Sequence, residues 1–119
     1  MKRPVISKYP GNNVAAGGED ITDVGGTPIQ AGATIRLTCF GAAITHVGRV
    51  ELQIRTQVTP TEKWRTVRCI IGPGDGHYEN LPPFEGDGTI FAMRVVRTND
   101  DASDRKIKAW VEGFRKGGT

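Results

Sequence analysis

Carboxylates are concentrated in one stretch of the sequence, VVRTNDDASDRKIKAWV, where Asp100, Asp101 and Asp104 lie between two apolar runs. Clustered carboxylate oxygens suit Ca²⁺, so these three aspartates are the candidates for a calcium site. An EF-hand loop also needs Gly at its sixth position and Glu at its twelfth, but counting from Asp100 gives Arg105 and Val111. We therefore predict a hairpin turn, because Asp and Asn favour turn conformations, and keep a non-EF calcium site as the alternative.

The histidines and cysteines lack the spacing that a metal site or a nucleophilic site requires. His46 and His77 are far apart in predicted loops, whereas Cys39 and Cys69 fall on the inward faces of predicted strands. Buried thiols are usually inert, and no carboxylate pair of the glycosidase type is present. The two thiols either form a disulfide or stay reduced, and the lack of an export signal favours reduced thiols. We expect neither an enzyme nor a cofactor.

Glycines recur in the stretch IIGPGDGHYENLPPFEGDGT. The stretch lacks the residue order of a P-loop, and no helix follows that would supply amide groups to a phosphate. We therefore predict that Gly74 and Gly76 form tight turns, and that Asp87 and Gly88 form a hairpin turn.

The composition is that of a folded domain with a slight excess of positive charge. The chain has 119 residues, of which 37% are hydrophobic and 24% are charged, with a net charge of +3. Lys and Arg are dispersed among acidic residues, so nucleic acid is an unfavoured partner. No apolar run approaches the roughly 20 residues of a membrane span, and the start MKRPVISKYP lacks the apolar core of a Sec signal.

The pattern of the chain changes near residue 33. Residues 1–32 are rich in Gly, Asn and Pro and show no sustained hydrophobic period. We predict an extended N-terminal arm here, with short strands around Val5–Lys8 and Asp20–Val24. The arm is either a loose terminus or a segment that becomes ordered on a neighbouring subunit. Residues 33–119 are predicted to form the folded domain.

Within residues 33–119, apolar and polar side chains alternate with the period of a β-strand. In the run KWRTVRCII, this alternation predicts that Val67, Cys69 and Ile71 face the core. A short additional strand is predicted at His77–Leu81. No window has helical periodicity, so we predict an all-β domain, a sandwich or small barrel that covers its apolar face. The five alternating runs are ATIRLTCF, RVELQIRTQV, KWRTVRCII, TIFAMRVVRT and RKIKAWVEGF.

The later runs resemble the C-to-F portion of a fibronectin type III or immunoglobulin-like domain. That family has a Trp after strand C, a Leu before a Pro/Gly loop, and an alternating apolar strand F that ends in Asn. The resemblance covers about residues 35–113 and implies an antiparallel β-sandwich of six to eight strands that binds or supports other molecules. Strand B departs from the family, since it carries Cys39 and Phe40 in place of Trp. The matching residues are Trp64, Leu81, Phe91, Met93, Val95 and Asn99.

Aromatic side chains supply the candidates for interface or ligand contacts. Trp110 and Phe114 fall on the face opposite Ile107, Ala109 and Val111, so the last strand is apolar on both faces. The apolar side chains on the second face of such a strand are expected to be buried by the arm or by another chain. A sugar could instead stack on several aromatic rings at once, and single-stranded nucleic acid could use the same rings beside arginines. The candidates are Trp110, Phe114, Trp64, Tyr78 and Tyr9.

A sandwich with an arm and no catalytic group looks like the small accessory proteins of virus particles, especially head decoration or tail proteins of tailed bacteriophages. This resemblance implies a structural protein of the virion, assembled in the host cytoplasm, whose partners are its own copies or capsid and tail proteins. The alternative is a carbohydrate- or receptor-binding module. One exposed platform of Trp64, Tyr78 and Trp110 would favour sugar, whereas cover over Trp110 and Phe114 would favour assembly.

Overall fold

The computed structural model describes residues 2–9, 13–24, 34–79, 81, 84–85 and 92–116. These residues form nine β-strands and no helix, which confirms the prediction of an all-β chain. None of them, accordingly, belongs to a helix long and apolar enough to cross a membrane. The strands are β1 (Lys2–Lys8), β2 (Asn13–Val14), β3 (Glu19–Asp23), β4 (Thr34–Gln57), β5 (Lys63–Glu79), β6 (Phe84–Glu85), β7 (Met93–Asn99), β8 (Arg105–Lys106) and β9 (Lys108–Lys116).

The long strand β4 organises the main sheet, in which every pairing is antiparallel. β5 pairs with one side of β4 along most of its length, and β6 pairs with the same side at its start. On the other side, β9 pairs with the first half of β4 and β7 with the second half. β1 extends the sheet beyond β9, and β3 extends it beyond β7, whereas β2 and β8 form a separate two-stranded ladder.

The sheet is curled, and its inner face encloses one hydrophobic core. Ile35 and Phe40 from the first half of β4 belong to the same buried cluster as Leu52 from the second half. A register shift between Leu37 and Cys39 changes which side chains face inward, and a second irregularity between Ile44 and Gly48 separates the two halves. Bulges of this kind bend a strand and increase its twist, which explains how one long strand contributes twice to one core.

The prediction of inward residues in β5 holds for Val67, which packs against the core, but was wrong for Cys69 and Ile71. Ile70 is buried opposite Val50, and Ile71 is 75% exposed. The reason is a register shift in which Leu52 pairs with Arg68 and the next residue of β4 pairs with Thr66, so one residue of β5 has no partner. An extra residue reverses the phase of every side chain beyond it, and alternation within a single run does not reveal it.

The predicted turns at Gly74 and Gly76 were also wrong, and the strand predicted at His77–Leu81 is the end of β5 and not a separate strand. β5 continues through both glycines to Glu79, because its ladder with β4 resumes after the irregularity. Gly74 has φ of 138°, a conformation that glycine adopts and other residues rarely do. The predicted turn at Asp87 and Gly88 lies outside the described residues.

The N-terminal segment contributes two strands to the main sheet, at the places where short strands were predicted. β1 pairs with β9 and β3 pairs with β7, and Val5, Val14 and Val24 belong to the common core. The predicted domain boundary after residue 32 lies outside the described residues. Attachment of this segment to a neighbouring subunit stays a prediction.

Candidate interaction surface

The three aspartates of the predicted turn lie in the connection from β7 to β8, and each binds a different part of the chain. The Asp101 carboxylate accepts a hydrogen bond of 2.6 Å from Arg105 Nε, and this bond lowers the pKa of Asp101. The Asp104 carboxylate accepts one of 3.0 Å from the backbone N–H of Ala16. Asp100 Oδ2 lies 3.3 Å from Nη1 of Arg49. Among the described residues, no three His, Cys, Asp or Glu side chains are placed to hold a metal ion.

Asn99 holds the same connection together from inside the fold. Its side chain is buried, and Nδ2 donates hydrogen bonds of 2.9 Å to the carbonyl oxygens of Val14 and Ser103. Its Oδ1 accepts a hydrogen bond of 2.9 Å from the backbone N–H of Asp101. This Asx-type bond to the residue two positions later is the turn chemistry that the Asn-Asp sequence predicts. The bond to Val14 is long-range, and sequence reasoning missed it.

A buried arginine joins four segments at one corner of the sheet. Arg97 is 2% exposed, and its Nη1 donates hydrogen bonds to the carbonyl oxygens of Tyr9, at 3.1 Å, and Ile107, at 2.8 Å. Its Nη2 donates one of 2.5 Å to the carboxylate of Asp20, and this bond lowers the pKa of Asp20. Arg97 is thus a structural residue that the sequence analysis did not single out. A lone Arg in an apolar strand carries little signal by itself.

Tyr9, one of the five aromatic candidates, packs into this corner. Its ring lies under the guanidinium group of Arg97, 5.6 Å from Cζ to the ring centroid. The hydroxyl group donates a hydrogen bond of 3.4 Å to the carbonyl oxygen of Asp23, and burial raises its pKa. The side chain is buried, so within this fold Tyr9 contributes to packing rather than to an open surface.

Trp64 lies on the outer face of the sheet, where charged side chains surround its indole ring. The guanidinium carbon of Arg94 is 4.1 Å from the ring centroid, and that of Arg55 is 5.9 Å away. The indole Nε1 donates a hydrogen bond of 2.8 Å to Glu62, which lowers the pKa of that carboxylate. Cation–π contacts therefore occupy a face of the ring that a sugar would need.

A hydrogen-bonded network around Glu51 continues this outer face. Glu51 accepts hydrogen bonds from Arg49, Gln53 and Thr66 at 2.7–2.9 Å. Burial favours the neutral carboxyl group, but the three hydrogen bonds outweigh this effect and lower the pKa of Glu51. Arg94 Nε donates a further bond of 2.8 Å to Gln53, which links the network to Trp64. These charges bind one another within the chain.

Tyr78 lies on the other side of the sheet, at its β5 edge. Its ring is nearly parallel to that of Phe40, with centroids 6.4 Å apart and an angle of 9°. The hydroxyl group donates a hydrogen bond of 3.2 Å to the carbonyl oxygen of Cys69, and Arg68 lies over the ring at 5.5 Å. Because Tyr78 shares the inward side of Phe40, the fold does not bring Trp64, Tyr78 and Trp110 into one platform.

Trp110 lies on the outer face of the first half of β4, as the alternation in β9 predicted. Ile107, Ala109 and Val111 on the opposite face are buried. The indole ring covers Gly41 so closely that a Cβ atom there would overlap ring atoms. Beside the ring is a shallow depression of about 320 Å³, lined by Lys8, Lys108, Ala109, Trp110 and Glu112.

Replacing Gly41 with Ala is expected to displace the Trp110 ring and to lower the free energy of unfolding by about 1–2 kcal/mol. The measurement is urea unfolding together with indole fluorescence in a Trp64→Phe background. The control repeats Gly41→Ala in a Trp110→Ala background, where the added methyl group no longer meets a ring. An equal loss of stability in both backgrounds would show that the glycine has another purpose.

Three exposed apolar side chains and the half-buried Trp110 form a group on this face, which we call the outer patch: Pro4, Ile6, Trp110 and Phe114. Pro4 is the cross-strand partner of Phe114, and Lys8 is the partner of Trp110. Ile6 is 61% exposed and Phe114 is 45% exposed. β1 pairs beside β9 instead of lying over it, so this strand contributes to the outer patch and does not cover it.

The cysteines and histidines are spread over the β4–β5 region. Cys39 and Cys69 are free and half-buried, and their cross-strand partners, Glu79 and Glu51, lie at distant points of the ladder. Burial raises the pKa of Cys69, which keeps its thiol protonated. His77 Nε2 lies 3.5 Å from Glu79 and is exposed. The fold therefore does not place the two thiols within reach of a mutual disulfide.

Three arrangements thus stand out: the buried corner around Arg97, the network around Glu51, and the outer patch. In the first two, charged groups bind other residues of the same chain, whereas the outer patch exposes apolar side chains to solvent. Comparison with models of known protein families and with curated protein sequences gives no match, so this geometry is the basis for assigning a function.

Proposed function

We propose that this protein is a non-catalytic structural protein that associates through its outer patch, as a virion accessory component of the phage head decoration or tail type. One observation carries the proposal: Ile6 and Phe114 expose large apolar side chains next to Trp110 on a rigid sheet face. Contiguous apolar groups on a surface mark contact sites, because burying them removes about 25 cal/mol per Å² of unfavourable hydration.

The charged residues around the outer patch support a protein partner. Lys8, Lys108 and Glu112 border the Trp110 ring. An apolar centre with aromatic side chains and a polar rim is the usual composition of a protein interface. The mixed signs of the rim charges suit a protein surface better than a polyanion such as nucleic acid.

The curled sheet fits this role. In the proposal, its two halves act as the two layers of an immunoglobulin-like sandwich, since both halves of β4 contribute to one core. The N-terminal segment acts as an arm in the sense that β1 supplies Pro4 and Ile6 to the contact surface. Assembly would take place in the host cytoplasm, and the finished protein would belong to the virion.

A carbohydrate- or receptor-binding function is the second candidate, and the depression at Trp110 is what favours it. An indole ring held flat against Gly41 is a surface on which a sugar ring can stack, and Lys8, Lys108 and Glu112 supply hydrogen-bonding groups at its border. Quenching of Trp110 fluorescence by a sugar, in a Trp64→Phe background, would support this candidate.

Light scattering during size-exclusion chromatography tests the main proposal. We expect the full chain to elute at a multiple of 12.9 kDa, and the double variant Ile6→Glu, Phe114→Glu to elute at a smaller multiple. Val58→Glu is the matched control, because Val58 is an exposed apolar residue outside the patch. Substitution is preferable to removal of residues 1–32, since β1 and β3 are strands of the sheet. A monomer at all concentrations would overturn the proposal.

A further inference from the structure

The curled sheet ends in two edges that are complementary in charge. β1 and β3 form one edge, and β5 forms the other; within the described part of the chain, no strand pairs with the outer side of either. Such edges carry unpaired backbone N–H and C=O groups that can accept a further strand. The question is which strand completes them.

Charge is segregated along both edges. β1, KRPVISK, has three basic and no acidic residues, whereas β3, EDITD, has three acidic and no basic residues. On the opposite edge, residues 63–71 of β5 have three basic and no acidic residues. The remaining part, residues 72–79, contains two acidic residues and one histidine. Each edge therefore has one basic half and one acidic half.

The two edges carry these halves in opposite order. β1 borders the half of the sheet in which β4 pairs with residues 74–79 of β5. β3 borders the half in which β4 pairs with residues 63–72. We propose that copies of this chain associate head to tail, with β5 of one copy pairing with β1 and β3 of the next. The inference rests on the proposed assembly function and identifies the partner as a second copy.

The strand directions allow this pairing. Every neighbouring pair in the sheet is antiparallel, and both paths across it, β1-β9-β4-β5 and β3-β7-β4-β5, contain four strands. β5 therefore runs opposite to β1 and β3. A second copy placed in the same orientation beside β5 continues the antiparallel alternation in both halves of the sheet.

The backbone groups also match. Val24 N–H bonds to β7, so by alternation the N–H and C=O of Ile21 face away from β7. The backbone N–H of Arg55 likewise points towards the β7 side of β4. Because Arg49 is an even number of residues away, its backbone N–H and C=O point to that side as well. The cross-strand partner of Arg49 is Ile71, whose own groups consequently face the free edge of β5. Ile21 and Ile71 thus both offer backbone hydrogen bonds to a neighbour.

Side chains select the register. Ile21 is 52% exposed and Ile71 is 75% exposed, and both belong to the outer face. Following the cross-strand partners from β3 through β7 to β4, Ile21 lies level with Glu51. On the other side of β4, Ile71 lies level with Arg49. A displacement of two residues between copies therefore places the two isoleucines side by side, where they bury each other.

The same displacement forms an ion pair in the other half of the sheet. Following the cross-strand partners from β1 through β9 to β4, Lys8 lies level with Gly41. Glu79 lies level with Cys39, which is again a difference of two residues along β4. Lys8 and Glu79 are both exposed. One register thus joins an apolar pair and a pair of opposite charges, which is a specific prediction. A contact between different surfaces of the same chain builds a ring or a filament.

Disulfide trapping tests this register. Cys39→Ser and Cys69→Ser remove the native thiols, and Ile21→Cys and Ile71→Cys are then introduced into separate proteins. Neighbouring strands hold paired residues within the distance that a disulfide spans. We expect oxidation of the mixture to give a covalent dimer joining the two variants, whereas neither variant alone gives a dimer of comparable yield. A chain with both substitutions is expected to give a ladder of covalent multimers.

Charge exchange gives an independent readout. Lys8→Glu is expected to weaken association by about tenfold, because it places like charges opposite each other across the contact. Adding Glu79→Lys to the same chain is expected to restore association. Absence of the mixed cross-link, or cross-linking of the Ile71→Cys protein with itself, would overturn the edge pairing. If light scattering still shows a multimer in that case, the proposed function stands; a monomer would overturn both.

Discussion

Replacement of Arg97 with Met is expected to lower the free energy of unfolding by about 3 kcal/mol. Met preserves much of the buried stem but removes every hydrogen bond of the guanidinium group. The carbonyl oxygens of Tyr9 and Ile107 lose their donor, and Asp20 is left without its cation. The expected loss is at the lower end of the range for breaking a buried ion pair, because the side chain of Asp20 is still about a third exposed to solvent. Urea unfolding followed by circular dichroism measures the change.

Arg94→Met is the matched control for this substitution. Arg94 lies three strand positions away on the same β-strand, so its guanidinium group is on the outer face, against Trp64. Exposed cation–π and polar contacts contribute little, so we expect a loss of no more than about 1 kcal/mol. Equal losses at the two positions would contradict the view that Arg97 joins the corner of the sheet.

The pH dependence of stability gives a second measure of the same corner. The Arg97 hydrogen bond depresses the pKa of Asp20 in the folded state, so this bond stabilises the fold above the pKa of the unfolded chain, about 3.9. Its contribution is lost as the pH falls through the depressed pKa. We therefore expect Asp20→Asn to be less stable than the parent at pH 7 and to approach the stability of the parent as Asp20 becomes protonated at acidic pH.

Replacement of Phe40 with Ala is expected to cost about 4 kcal/mol, the largest effect of any single substitution considered. Phe40 is fully buried at the centre of the curled sheet, where its ring packs beside that of Tyr78. Removing the ring loses the free energy of its transfer from water and leaves a cavity that rigid neighbouring strands cannot fill. The measurement is the shift in the urea midpoint at an unchanged slope.

Tyr78→Ala serves as the comparison. Tyr78 is 40% exposed at the edge of the sheet, so its truncation is expected to cost about 1–2 kcal/mol, well below the loss at Phe40. The chain should remain folded, which makes this variant suitable for binding and assembly measurements. A loss as large as that of Phe40→Ala would show that the β5 edge is part of the central core.

These stability effects bear on the assembly that we propose. A contact between copies through β1, β3 and β5 requires edges that keep their geometry, and the Arg97 corner joins β3 and β7 to the end of β1. An Arg97 variant that still folds is therefore expected to associate less well, although Arg97 itself belongs to β7 and not to an edge strand.

Much of the fold could be predicted from the residues alone. Alternation along β9 correctly assigned Ile107, Ala109 and Val111 to the core and Trp110 to the outer face. This prediction holds because the direction of a side chain along a strand is a local property with a period of two. The Asp residues after β7 lie in a connection between strands, as predicted, but the predicted hairpin was wrong, because β7 pairs with β3 and β4 and not with the strands that follow it.

Other features depend on how the strands pair. The register shift opposite Leu52 reversed the predicted faces of Cys69 and Ile71, so Ile71 became an exposed residue on a sheet edge. Pairing with Phe40 placed Tyr78 on the inward side of the sheet, whereas Trp64 and Trp110 are on the outer face, which removed the three-ring platform. Neither effect leaves a mark in a short run of residues, since both arise from partners far away in sequence.

The amino-acid sequence by itself thus determined the β-class, the faces of the regular strands and the segregation of charge among β1, β3 and β5. The tertiary structure alone decided which segments meet: it buried Tyr9 beside Arg97, assembled the outer patch, and placed the acidic and basic edges in complementary order. The physical reason is that side-chain alternation is set by the backbone of each strand, whereas register and curvature are set by hydrogen bonds between strands.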